Sequence, residues 1–386
     1  MPQTPTSAVA PFTLARLDTY VYEAPAAVPV VTSFGRMDTR PSVLLRVADT
    51  DGGAGWGELW GNFPTVTAAY RARLAGWALP SQILGKTVTD PAAFTAGVLD
   101  NLKTLEVQCD EPGPIAGVVA ALDQAIWDLA ARRAGLPLRK LLRADAPDRV
   151  PAYASGISPK GAAEKVAEAR AQGYRRFKLK IGFGAETDHA NLEAIRRDMA
   201  DGETLFTDAN QRWTPEEAVA AIGDLAAYDL GWLEEPIRAD LPAEVWQAVK
   251  AAMPMPLAAG ENLRGARAFT DALEWVDYMQ PDAGKLGGVS GCLAIARQAL
   301  AAGRTYCPHW LAGGIGLLHS ANLLAATGGA GVLEVDCNEN PLRAAPIGGR
   351  LTLDDGDAVL PDGPGIGVDP DLEAIAQWRV SHETFG

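Results

Sequence analysis

Polar and charged residues recur at one spacing between Lys178 and Glu334, each after a short apolar run and before turn-type residues. In chain order they are Lys178 and Lys180 in FKLKIG, Asp208 in FTDAN, Glu234 in WLEEP and Glu261 in AAGEN. Asp282 in QPDAGK, His309 in CPHW and Glu334 in VLEVD complete the series. From Lys180 onward, successive members lie 28, 26, 27, 21, 27 and 25 residues apart. A strand, a helix and two short loops take up about that length. The spacing predicts a closed parallel (β/α) barrel carrying these side chains at the C-terminal ends of its strands, where barrel enzymes place their chemistry.

The flanking segments read differently. Residues 12–60 are β-rich, with two alternating runs, TLARLDTYVYE and PSVLLRVADT, separated by a Pro- and Val-containing loop. Residues 64–104 are helical and Ala-rich, broken near Gly85 and Pro91. Ile115, Val118, Val119, Leu122, Ile126 and Leu129 form one apolar helix face, ended by Gly135 and Pro137. Within the alternating region, Gly173 suits a helix end, and Thr214 with Glu217 gives a capping box. Beyond 340 the β/α period is lost. The predicted organisation is an N-terminal α+β domain (1–140), a barrel domain (141–345) and a C-terminal segment (346–386) returning to the first domain.

With 386 residues the chain can bury a large core. A net charge of −14 argues against a nucleic-acid surface, which needs clustered Lys and Arg. It does not exclude a small anionic substrate, because a bound cation inverts the local charge. Cys109, Cys292, Cys307 and Cys337 are widely separated with no CxxC pair, which fits a reducing compartment. No signal-peptide pattern is visible, and no window approaches a membrane span. The expected location is cytoplasmic, with no membrane partner.

Asp208, Glu234 and Glu261 end three successive predicted strands, close enough for their side chains to converge. Three buried carboxylates without a counter-charge are costly, and a divalent cation removes that cost. An all-oxygen shell selects Mg²⁺, with Mn²⁺ as a substitute. Taken singly, each carboxylate is better explained as a helix cap or surface charge. Lys178 and Lys180 lie two apart and share a side of their strand, with Phe177 and Leu179 facing outward. Mutual repulsion and burial are expected to lower their pKa values and free an amine to act as base. Asp282 and His309 end neighbouring strands, so the carboxylate can fix the imidazole tautomer. His189, His319 and His382 are assigned to packing. For Glu334 two roles stay open: hydrogen bonding to a developing enolate, or partnering Lys178 or Lys285.

At these residues the chain resembles the enolase superfamily, and within it the mandelate racemase/muconate lactonizing enzyme group. KLK matches the group's K-x-K base motif, DAN, EEP and GEN its metal ligands, and Asp282 with His309 its His–Asp pair. The resemblance implies a (β/α)7β barrel of the TIM type under an α+β capping domain completed by the C-terminal segment. It also implies a homo-oligomer. Sites of this superfamily use a Lys or His base with Mg²⁺ to stabilise an enediolate formed beside a carboxylate. Lys180 and His309 are then the proton-transfer groups and Lys178 is an electrostatic neighbour.

The implied substrate is a small carboxylate. Lys178, Asn210, Phe34 and Trp60 are the candidate contacts to it; taken singly, Phe34, Trp60 and Phe63 are better explained by packing the cap against the barrel. The cap loops contribute one cation, Arg36. The expected reaction is dehydration of a hydroxylated sugar acid to a 2-keto acid. The alternatives are racemisation or epimerisation of a hydroxy acid or an amino-acid-like (hydroxyproline-like) substrate, and a non-catalytic metal-binding barrel.

Overall fold

In the computed structural model, which describes residues 9–32 and 35–386, the alternating N-terminal runs pair into an antiparallel sheet. Its strands are β1 (Phe12–Thr32), β2 (Gly35–Asp49), β3 (Ala54–Leu59) and β4 (Thr87–Val88). The segment predicted as a loop is instead the far end of the β1–β2 hairpin, where Val30 pairs with Met37 and Thr32 with Gly35. Val28, Val30, Val31 and Thr32 favour strand. The register skips between Pro25 and Val30, which accommodates a proline that cannot donate to the ladder.

Helix Pro112–Arg133 lies on this sheet so closely that a Cβ at Gly55 or Gly57 would come 2.2 or 2.1 Å from the carbonyls of Ala125 and Ala121. Glycine is therefore required at both positions. This helix also corrects the expectation that no window approaches a membrane span. It is long and apolar enough by composition, with mean hydropathy 1.2, but its window is 89% buried. It is a core helix, packed between the cap sheet and the barrel helix Gly288–Ala301.

The barrel follows as eight strands: β5 (Arg149–Ile157), β6 (Arg176–Lys180), β7 (Thr204–Asp208), β8 (Leu233–Glu234), β9 (Leu257–Ala259), β10 (Tyr278–Met279), β11 (Thr305–Tyr306) and β12 (Leu333–Asp336). Parallel pairing runs in sequence from β5 to β11, and β12 pairs with β5. Gly331 lets the chain entering β12 lie against the Tyr306 carbonyl of β11; a Cβ there would meet it at 1.9 Å. Long helices follow the first seven strands, whereas β12 is followed by the short helix Pro341–Ala344, so the architecture is (β/α)7β.

Alternation along the strands sorts side chains into layers. Phe177 and Leu179 face out into the cluster between strands and helices, as predicted. Facing in, Tyr153, Phe206, Trp232, Cys307 and Val332 form a second cluster at the base of the barrel, with the Phe206 and Trp232 rings stacked at 3.6 Å. Asp208, Glu234, His309 and Glu334 each lie two residues beyond a member of that cluster. A polar layer thus rests on an apolar floor.

The C-terminal segment is divided between both bodies. β13 (Thr352–Asp354) and β14 (Asp357–Val359) form a hairpin that extends β5 antiparallel, and only β15 (Arg379–Phe385) joins the cap sheet, beside β1.

Candidate active site

Strand register brings the acidic residues together. Lys180, Asp208 and Glu234 are in-register neighbours on β6, β7 and β8. Glu234 is opposite Ala258 on β9, three residues before Glu261. Gly260 makes up the offset. Its φ of +147° turns the chain at the end of β9, and a Cβ there would meet the Gln280 backbone at 2.7 Å. One oxygen from each of Asp208, Glu234 and Glu261 then lies within 4.8 Å of the others.

Cations surround this trio. Lys178 Nζ lies 2.7 Å from Glu234 Oε1, 2.8 Å from Glu334 Oε1 and 3.7 Å from Asp208 Oδ2. Lys180 Nζ donates to Asp208 Oδ2 at 2.5 Å, and Lys285 Nζ to Glu261 Oε2 at 3.1 Å. The expectation of depressed lysine pKa values is therefore wrong for this arrangement. Burial lowers both, but at Lys178 it is outweighed by Glu234, Glu334, Tyr153 and Asp208 together, and at Lys180 Asp208, Glu234 and Glu261 together outweigh burial and the Lys178 charge. Both ammonium groups are held above their ordinary values.

His309 Nδ1 donates to Asp282 Oδ2 at 2.7 Å, which directs Nε2 towards Glu261 at 3.2 Å and Glu334 at 3.5 Å. Burial would depress its pKa, but Glu261, Glu334 and Asp282 raise it to about 9. Glu334 is pushed up by burial yet held down to about 2 by Lys178 and His309. It also accepts from Ser155 Oγ at 2.6 Å and the Trp310 N–H at 2.9 Å. The structure places Glu334 beside Lys178, and Lys285 pairs with Glu261 instead.

Asn210 donates to Asp208 from its backbone N–H at 2.8 Å and from Nδ2 at 3.1 Å, and so orients that carboxylate. Asn210, Gln211 and Glu235 have φ of 46°, 63° and 38°, a conformation non-glycine residues rarely adopt, in the turns that end β7 and β8. Trp60 is partly buried against the loop after β10, and Phe34 lies outside the described residues. Arg36 pairs with exposed Asp38 on the hairpin. His189 pairs with Tyr228, His319 with the Trp56 carbonyl and His382 with Asp18.

Sequence inspection missed Gln280, whose Nε2 donates to Glu234 Oε2 at 2.8 Å, along with Ser155, whose Oγ donates to Glu334. Gln280 had a signal: it stands two residues before Asp282, as Lys178 does before Lys180. Ser155 had none, because its strand carries no charged residue at the ring.

The family described as mandelate racemase/muconate lactonizing enzyme, N-terminal domain, matches residues 16–143, and that described as enolase C-terminal domain-like matches residues 161–375. A mandelate racemase/muconate lactonizing enzyme from Bordetella bronchiseptica RB50 superposes with a TM-score of 0.88 at 44% identity, over 95% of this chain and 99% of that one. A racemase from Streptomyces coelicolor A3(2) with bound magnesium gives 0.83 at 25% identity, over 95% and 100%. A D-galactarolactone cycloisomerase from Agrobacterium fabrum is 29% identical over 94% of this chain and 97% of its own length. Other curated relatives are sugar-acid dehydratases and racemases or epimerases.

Proposed function

The chain belongs to the mandelate racemase/muconate lactonizing enzyme group of the enolase superfamily, and on that premise we propose that it dehydrates a hydroxylated sugar acid to a 2-keto acid, using Mg²⁺. One observation carries the proposal. The carboxylate trio is bracketed by two proton-transfer groups, Lys180 at Asp208 and His309 at Glu261. A substrate carboxylate brought to the trio would have its α-carbon between an amine and an imidazole.

The donor set fits a hard cation: three carboxylates, Asp208 and Glu234 buried and Glu261 partly buried, all oxygen, whose charge is balanced here by lysines. Bound by Asp208, Glu234 and Glu261, Mg²⁺ would act as a Lewis acid towards the substrate carboxylate, with Mn²⁺ as the substitute. Lys178 supplies fixed positive charge beside the same carboxylate. Lys180 would lose its Asp208 partner to the cation, give up its own proton under like-charge repulsion, and as a free amine remove the α-proton from one side. His309, oriented by Asp282, gives its Nε2 proton to the departing β-hydroxyl, which leaves as water; the resulting enol tautomerises to the 2-keto acid. Glu334 fixes Lys178 and, through the Trp310 N–H, the segment that carries His309.

The same bracket supports a second reaction. If His309 returned a proton to the α-carbon on the opposite face, the outcome would be racemisation or epimerisation. The substrate decides between them by whether it carries a β-hydroxyl. The location stays cytoplasmic in this proposal, in keeping with four free cysteines, three of them buried. Homo-oligomerisation is carried over from the family.

Incubating the protein with Mg²⁺ and a pooled library of sugar acids, hydroxy acids and hydroxyprolines in D₂O, read by mass spectrometry, tests both. Loss of water from one component supports dehydration. Gain of one deuterium without loss of water supports the second reaction and overturns the first.

A further inference from the structure

Trp60 is held between the cap and the metal-binding layer, and two cations stand at its ring. Its backbone N–H lies 3.4 Å from the Gly284 carbonyl, which seats it on the loop that carries Asp282. Lys285 Nζ is 4.3 Å from the centre of the indole and also 3.1 Å from Glu261 Oε2. Arg71, on cap helix Thr67–Ala78, donates through Nη1 to the Trp60 carbonyl, and its guanidinium carbon lies 5.6 Å from the same ring centre. An unbroken set of contacts therefore runs from a carboxylate of the trio to a cap arginine.

Two donors in this set are unused. Trp60 Nε1 and Arg71 Nε are both buried, and neither has a hydrogen-bond partner among the described residues. The acids nearest in charge to Arg71 are engaged elsewhere: Asp282 by His309 and the Gly284 N–H, and Glu111 by the Tyr70 hydroxyl. In a chain of net charge −14, two cations and an indole N–H gathered here, with donors to spare, form a site for an anion. A planar guanidinium is suited to pairing with a carboxylate through two parallel N–H groups.

We propose that Trp60, Arg71 and Lys285 form a subsite beside the carboxylate trio that takes the distal carboxylate of a dicarboxylic sugar acid. The proposal rests on the sugar-acid reading above and narrows it to sugar diacids. One carboxylate goes to the trio and Lys178, the other to Arg71 and Lys285. The reacting carbon is thereby fixed between Lys180 and His309 from both ends of the substrate.

Binding tests this independently of turnover. Lys180→Met, loaded with Mg²⁺, is titrated calorimetrically with galactarate, glucarate, and the monoacids galactonate and gluconate. The expected result is at least one diacid binding about tenfold or more tighter than its monoacid. Adding Arg71→Gln should weaken that diacid at least about tenfold more than it weakens the monoacid. Adding Arg71→Lys, which keeps the charge, should restore part of the difference, and melting curves would confirm that both variants fold. Equal affinities for diacid and monoacid, no diacid binding, or an equal loss for both acids with Arg71→Gln would overturn the subsite. A failure of dehydration in the library screen would leave the binding result standing, so the two proposals fail separately.

Discussion

Glu58 Oε1, on β3 of the cap, accepts the backbone N–H of Gly313 at 2.8 Å, four residues beyond His309. Its other oxygen accepts the Gly316 N–H at 3.0 Å, and Ser42 Oγ donates to Oε1 at 2.7 Å. These N–H groups lie at the start of helix Gly314–Thr327, where a carboxylate complements the helix dipole. The Gly313 carbonyl in turn accepts Trp310 Nε1, and the Trp310 N–H reaches Glu334. The cap therefore holds the segment carrying His309 through its backbone.

Replacing Glu58 with Ala leaves two buried N–H groups without a partner, at a cost of about 2–5 kcal/mol. The variant should melt lower than the parent, and kcat should fall more than KM rises, because His309 loses its support rather than the substrate a contact. A lower melting temperature with unchanged kcat would limit Glu58 to a structural role.

The pH dependence of stability offers a separate check. Burial raises the Glu58 carboxyl to about 7, despite the N–H groups and the Ser42 hydroxyl that favour its charged form. Its unfolded value is about 4.3. A group that binds its proton more tightly when folded contributes stability that is complete below the unfolded value and is lost as pH rises through the folded one. Denaturant midpoints should therefore decline between about pH 4.3 and 7 in the parent. In Glu58→Gln that decline should be smaller, since the side chain no longer titrates. An identical slope in both proteins would assign the pH dependence to other groups.

The barrel was legible because a parallel strand announces itself twice, as an apolar run and as a polar residue at its end. Asp208, Glu234, Asp282, His309 and Glu334 all carried that double mark. The hairpin beyond Glu23 was not legible, because its prolines read as loop until the bulge that absorbs them is seen. The charge state of Lys178 and Lys180 was misjudged for a different reason. Their repulsion is a local property of one strand, whereas the opposing carboxylates arrive from β7, β8 and β12. Trp60 and Lys285 were visible as residues, but their meeting with Arg71 depends on how the cap docks, which leaves no periodic trace in the sequence.

Chelation should abolish turnover, and Mg²⁺ should restore it. A cation that binds the folded barrel and not the unfolded chain should also raise the melting temperature in a saturable way. At one hundred times Kd the gain is about 2.7 kcal/mol. Glu234→Gln removes one ligand charge and should shift that titration to higher Mg²⁺. A melting temperature indifferent to Mg²⁺ in both proteins would remove the trio from consideration as a metal centre.

Lys180→Met and His309→Asn separate the two proton transfers. If Lys180 is the base, its loss should reduce dehydration and α-deuterium exchange alike, by about 10²–10⁴-fold. Loss of His309 should reduce dehydration by a similar factor while leaving measurable exchange, since the first step does not need it. The opposite pattern, with exchange surviving only in Lys180→Met, would exchange their roles.

Lys178 and Lys180 differ most in what depends on them, and stability should show it. Lys178 Nζ balances Glu234 and Glu334 at once, with its own side chain and both carboxylates essentially excluded from water. Lys180 balances Asp208, which keeps two hydrogen bonds from Asn210 when the lysine is gone. Removing one partner of a buried ion pair costs about 3–5 kcal/mol, because the charge left behind has nowhere to go. Lys178→Met should incur that cost in urea unfolding without added metal, and Lys180→Met clearly less. Acid should then rescue the first variant. Without the ammonium, Glu234 and Glu334 bind protons more tightly in the folded state than in the unfolded one. The gap between parent and Lys178→Met should therefore narrow as pH falls from about 8 to 5. A gap that stayed constant with pH would mean that Lys178 contributes by packing over the Tyr153 ring, 5.4 Å from its Nζ, and not by charge.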